Sequence, residues 1–259
     1  MSTTRHLWPR EHGAYAELAF PILTGLSAGK PTLAAVSLAA ATVAFFLAHE
    51  PLAIATGVRG RRLESAEGDR ARCRAGWLAA AGVMLGALGI AAGSGDVRWA
   101  ALVPGAAVLA LVPWVAARRQ KTLVAEVIVV AAFATVVLPL SIAVGATWQF
   151  AWTAAGVWFV SFALATLAVH ALKLRHKRGA AARWIVRLTL GVAVVVAVGA
   201  WGAAITGWVR PLLAAALVPP VLLVAALAVA PVHPRNLKRV GWALVAANTV
   251  TWLCLFRIG

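Results

Sequence analysis

Six side chains able to hold or move a proton fall inside apolar stretches of this 259-residue chain or at their very ends: Glu17, His49, Glu50, Glu126, His170 and Lys173. An ionisable group at the centre of a membrane span costs about 2.5–3.5 kcal/mol, so each is a functional candidate. Lysine can snorkel to an interface at modest cost, whereas glutamate and histidine are short and do so poorly. Carboxylates and imidazoles held in this way are general bases and acids, so Glu17, His49, Glu50 and Glu126 are the catalytic candidates. A second set suits headgroup binding. The segment Pro9-Arg10-Glu11-His12-Gly13-Ala14-Tyr15-Ala16-Glu17 gathers a cation, two acids, a histidine and the chain's one tyrosine. Arg10, His12 and Tyr15, with His170, Lys173 and Arg175 later in the chain, supply donors for an anionic group. The histidines and glutamates could also ligate a metal, but no HxxxH or HExxH spacing occurs, and no metal or cofactor is predicted. The two cysteines, Cys73 and Cys254, define no disulfide framework.

The elements that must position these residues follow from composition. The chain is 62% hydrophobic and 12% charged, with a mean hydropathy of +0.87. A chain this apolar lacks the polar surface to stay in water, so lipid is its solvent and each span must satisfy its own backbone hydrogen bonds. Period-two alternation is absent and the apolar runs reach about twenty residues, which selects helices over a barrel. Nine runs are read: Ala14–Ala28, Thr32–Gly57, Ala75–Gly93, Trp99–Ala117, Thr122–Gly145, Gln149–Leu172, Trp184–Thr206, Pro211–Ala230 and Val240–Phe256. The expected fold is all-α: a polytopic membrane bundle of about nine transmembrane helices, forming one domain over 1–259. Its cytoplasmic loops are expected near 58–74, 118–121, 173–183 and 231–239. The first run is short and carries Glu17, so whether it spans is the open point of this reading.

The formal charge of +16 would suggest nucleic acid in a soluble protein. Here topology accounts for it. Twenty of the 24 Lys and Arg residues lie in one alternate set of connections, and only Lys30, Arg98, Arg210 and Arg257 lie in the other. The positive-inside rule then places the N-terminus in the cytoplasm and the C-terminus outside, in the bacterial cytoplasmic membrane. No nucleic-acid partner is expected; membrane lipids are. Glu64, Glu67 and Asp69 among the arginines of 58–74 read as a solvated mixed-charge segment or a short surface helix. Gly82 and Gly86 form a GxxxG match read as helix packing. Short matches around Glu17 and Glu126, and around His49 and His170, hint at a repeat four spans long. All the ionisable span residues fall at the cytoplasmic face, which predicts a polar cavity open to the cytoplasm.

The segment from Pro9 to Glu17, followed by Pro21, resembles the bacterial YwiC-like membrane protein family. The Lys30-Pro31 turn, the Glu126 span and the segment Asn236-Leu237-Lys238-Arg239-Val240-Gly241-Trp242 fit the same resemblance, which implies no particular reaction. In architecture the chain is also similar to the UbiA-type intramembrane prenyltransferases. Those have nine helices, a cytoplasmic N-terminus and substrate loops after helices 2 and 6, where the two large basic segments stand here. That resemblance implies two four-helix units plus one, and a transferase-like lipid site. The chain departs from that family's Asp-rich motifs, which hold Mg²⁺ against a prenyl diphosphate. His49 and Glu50 stand at the first place, and His170, Lys173, Arg175 and His176 at the second. Mg²⁺ needs hard oxygen ligands, and the second place offers none. The expected function is therefore to bind or modify an anionic lipid, isoprenoid or quinone-type molecule in a cytoplasm-facing cavity. The alternatives are a proton-coupled transporter using Glu126 and Glu17, and a non-catalytic assembly subunit.

Overall fold

A computed structural model describes residues 7–8, 12–117, 119, 122–175, 180–229 and 236–258. The regular elements among them are ten α-helical segments. The first five are α1 (His12–Ser27), α2 (Leu33–Ala55), α3 (Arg61–Ala92), α4 (Gly95–Ala116) and α5 (Leu123–Thr135). The rest are α6 (Val137–Ala143), α7 (Trp148–Arg175), α8 (Ala180–Ile205), α9 (Pro211–Val229) and α10 (Leu237–Phe256). Side-chain oxygens start several of them: Thr32, Ser94 and Thr122 accept from the backbone N–H of Ala35, Val97 and Ala125. Gly145 and Gly207, at φ 91° and 78°, close α6 and α8 in a conformation that other residues rarely adopt. α5 and α6 are one rod. Val136 between them keeps right-handed helical angles (φ −54°, ψ −32°). The ladder is interrupted there because Pro139 has no N–H to offer the Thr135 carbonyl. The described residues thus make nine rods, as the apolar runs predict.

Eight of these rods are long and apolar enough to cross a bilayer. The protein is a multi-pass integral membrane protein. The remaining rod, α1, has 16 residues, about 24 Å at 1.5 Å per residue against a hydrocarbon core of about 30 Å. It nevertheless runs from one end of the bundle to the other. Leu7, just before it, is buried against Ile54 and Ala71 at the end of α2. Gly29, just after it, abuts the Val144 carbonyl beyond the end of α6. Between those points α1 packs on α2, α5, α6, α7 and α10. Neighbouring helices cover most of it, with Ala19 and Leu23 left exposed, and this is how a short helix carrying Glu17 and Pro21 is accommodated.

The core forms around α1. Phe20 packs with Val130, Trp158, Phe162 and Leu255 on one side. Leu18 and Ile22 pack with Leu38, Val97 and Leu140 on the other. Trp158 is fully buried, stacked between Phe20 and Phe162. Its indole N–H donates to Thr24 Oγ1 at 3.0 Å, and Thr24 donates to the Phe20 carbonyl at 2.8 Å. Other tryptophans, among them Trp77, Trp99, Trp184, Trp208 and Trp242, are exposed on the outside of the bundle, as an interfacial belt requires.

One expected connection turns out to be shorter. Residues 61–74 belong to α3, a helix of 32 residues, and the chain turns within 56–60. Gly68, Ala71 and Ala75 are buried at helical spacing, so even the charged part of α3 presents a small-residue face to α2. That face continues through Gly82, Gly86 and Gly89. A Cβ on Gly89 would come within 2.6 Å of Leu38 Cγ and 3.2 Å of the Ala34 carbonyl. The GxxxG segment therefore serves close helix packing, and α2 with α3 is the most extensive helix pair of the bundle. The two halves do not repeat each other's packing. α3 barely touches α4, whereas α8 and α9, their counterparts four spans on, pack along much of their length.

Candidate binding site at the basic end of the bundle

α2, α4, α7 and α9 finish, and α1, α3, α5, α8 and α10 begin, at the end of the bundle that carries most of the Lys and Arg residues. The described candidates fall there: Glu50 and Glu126 with His170 enter two polar pairs, and Tyr15 joins an aromatic group. The first pair is Glu50 with Arg59. Glu50 is 4% exposed, on the last turns of α2 just before Pro51. Arg59 Nη2 donates to Glu50 Oε2 at 2.5 Å. The turn makes this possible: Gly57 takes φ 71°, and the Arg59 N–H bonds back to the Ala53 carbonyl. His49, the next residue along, is exposed. Neighbours on a helix point about 100° apart, so His49 and Glu50 do not share a face.

The second pair joins two helices. His170 Nδ1 on α7 lies 3.2 Å from Glu126 Oε2 in the first turn of α5, with the side chains 20% and 33% exposed. The contact is at ion-pair distance but outside hydrogen-bond alignment. Lys173, one turn further along α7, is exposed. Tyr15 and Glu17 are half-buried on α1, where Gly13 is exposed and burial begins only at Leu18. The first turn and a half of α1 is therefore only half-buried, at the end of the bundle where the polar pairs lie.

The aromatic group ties α1, α2 and α5 together. Tyr15 meets Phe46 edge-on at 5.1 Å between centroids, and Phe46 meets Phe133 at 6.0 Å. Phe46 precedes Glu50 by four residues and Phe133 follows Glu126 by seven, so each ring lies on the same helix face as its carboxylate. Phe46, Phe133 and Arg59 were not singled out by type or spacing. Arg59 counts in sequence only as one of many topological charges. Its signal was its place nine residues beyond Glu50, across a glycine turn.

Arg10 lies outside the described residues, and the side chains of His12 and Arg175 are likewise outside what is described. Among the described residues no group of three His, Cys, Asp or Glu side chains could hold a metal ion. Two cavities lie away from the polar pairs. One, of about 350 Å³, is at the opposite end, lined by residues including Lys30, Thr32, Ser94 and Gly145. The other, of about 140 Å³, is an apolar groove between α8 and α9 beside Trp201.

A family model described as YwiC-like protein matches residues 8–141, just over half of the chain. The matched part runs through α1–α6 and includes Tyr15, Glu17, His49, Glu50 and Glu126; His170 lies beyond it. Neither a curated protein nor a solved structure matches the chain, so no solved structure supports the UbiA-type architecture.

Proposed function

The chain belongs to the YwiC-like protein family, and from that premise we propose that it is an intramembrane binding protein for a lipid-soluble amphiphile, of the anionic-lipid, isoprenoid or quinone type. The polar head of the ligand reaches the Glu126–His170 pair from the cytoplasmic side. The observation that carries this reading is the pair itself: an acid and an imidazole 3.2 Å apart on different helices, neither fully buried nor fully exposed. A purely structural ion pair has no need of two side chains that snorkel poorly. The half-buried first turns of α1 and the rings of Tyr15, Phe46 and Phe133 provide the adjoining surface. A carboxylate and an imidazole in this relation can also relay a proton, so the same pair is where chemistry would be done.

Extraction of the protein in its native lipids, with mass spectrometry of what co-purifies, tests the reading. One amphiphile class should be enriched over the bulk membrane and reduced at least tenfold in Glu126→Gln and in His170→Leu. Co-purified lipid that mirrors the bulk membrane in wild type and variants alike would sink it.

We also propose that the basic end faces the cytoplasm of a bacterial cell, on the strength of the charge asymmetry. Cys73 provides the test, because it is exposed on α3 at that end. With Cys254 changed to serine, a membrane-impermeant maleimide should label Cys73 in inverted vesicles and not in intact cells. The reverse pattern would invert the topology.

A further inference from the structure

We propose, on the basis of the site just described, that the headgroup taken there is an uncharged conjugated ring bearing carbonyl or hydroxyl oxygens, a quinone-type molecule, and not a phosphate ester. The local charge is the first reason. With its imidazole protonated the Glu126–His170 pair is neutral, and with it unprotonated the pair is negative, so the pair does not draw in an anion. Three of the described guanidinium groups at that end are already engaged. Arg59 is held by Glu50, Arg72 by Asp69 at 2.6 Å, and Arg74 lies 4.2 Å over the Trp8 ring. Lys173 is exposed beyond the pair. A metal-held diphosphate needs hard oxygen ligands, and the described residues bring together no such ligand set.

The second reason is the matching of shapes and donors. A carboxylate and an imidazole offer one acceptor and one group that can donate or accept. This suits a ring oxygen that is a carbonyl in one state and a hydroxyl in another. Two turns deeper on the same face of α5, Phe133 continues into Phe46 and Tyr15, all half-buried. Ring edges and faces set at 79° and 63° leave aromatic surface against which a flat ring stacks. The apolar tail of such a ligand would continue into lipid along the bundle.

The test uses the full-length protein in lipid nanodiscs with an azido-substituted short-chain ubiquinone as photoprobe, the labelled peptides being mapped. Label is expected on α1, α2 or α5, displaced by unlabelled short-chain ubiquinone and not by farnesyl diphosphate. Phe133→Leu and Phe46→Leu, which remove a ring while keeping apolar bulk, should each weaken labelling about three- to tenfold. Thermal unfolding of each variant checks that it remains folded. If farnesyl diphosphate displaces the probe equally well, the quinone class is wrong while the Glu126–His170 site stands. If neither compound reaches these helices, and no amphiphile co-purifies, both readings fall.

Discussion

Arg59→Ala is expected to destabilise the folded protein by about 3 kcal/mol, the lower end of what losing one partner of a buried ion pair costs. The lower end applies because the Arg59 side chain is about one-third exposed while Glu50 is buried. The arginine is the ion-pair partner of a carboxylate that cannot reach water, at the point where α2 hands over to α3. Without it the carboxylate must take up a proton or drag the turn open, and either disturbs the most extensive helix pair of the bundle. The measurement is the midpoint of thermal unfolding in detergent, followed by size-exclusion chromatography. The double change Glu50→Gln with Arg59→Ala should recover most of the loss, because it removes the charge that was left unpaired. Equal loss in single and double variants would show that Arg59 acts elsewhere. Folded Glu50→Gln protein that no longer retains its amphiphile would instead return Glu50 to the ligand site, where its residue type first placed it.

Gly25→Leu should cost more still. A Cβ at this position would stand 2.5 Å from Leu140 Cβ and 3.4 Å from the Ser141 backbone nitrogen. Leu140 is fully buried in α6, so neither neighbour is the loose end of a flexible side chain. Overpacking a tight core costs about 1–3 kcal/mol and occasionally more. Here the strain falls on α1, which touches five other helices, so the larger value is expected and little monodisperse protein should survive extraction. Gly156→Ala is the matched control. No heavy atom lies within 4 Å of a Cβ built there, and alanine is the better helix former by about 1 kcal/mol. Its unfolding midpoint should be unchanged or higher. If Gly25→Leu behaved like Gly156→Ala, the close approach of α1 to α6 would not exist.

Apart from one, the helical rods were legible from sequence to within four residues at each end. The run Pro211–Ala230 is α9 at Pro211–Val229, and the run Thr122–Gly145 is the α5–α6 rod. Hydropathy over twenty residues is a property of a single segment, and lipid enforces it on each segment separately. α3 was the exception. Its first fourteen residues are too charged to look like a span, and their helical face is visible only as small residues at 68, 71 and 75 among arginines. The status of α1 was also beyond the sequence. Sixteen residues with a glutamate and a proline do not meet the length of a span, and only the packing shows the helix running from one end of the bundle to the other.

At the site, sequence by itself determined which side chains are costly in a membrane and that they gather at the end with the basic connections. Residue type and position along a span are enough for that. Only the tertiary structure decided who meets whom. Glu126 and His170 are 44 positions apart and face each other because α5 and α7 pack. His49 and Glu50 are adjacent, yet one is exposed and the other buried. The direction in which a helix turns each face is set by its neighbours, and no local pattern records it when all faces of the helix are apolar.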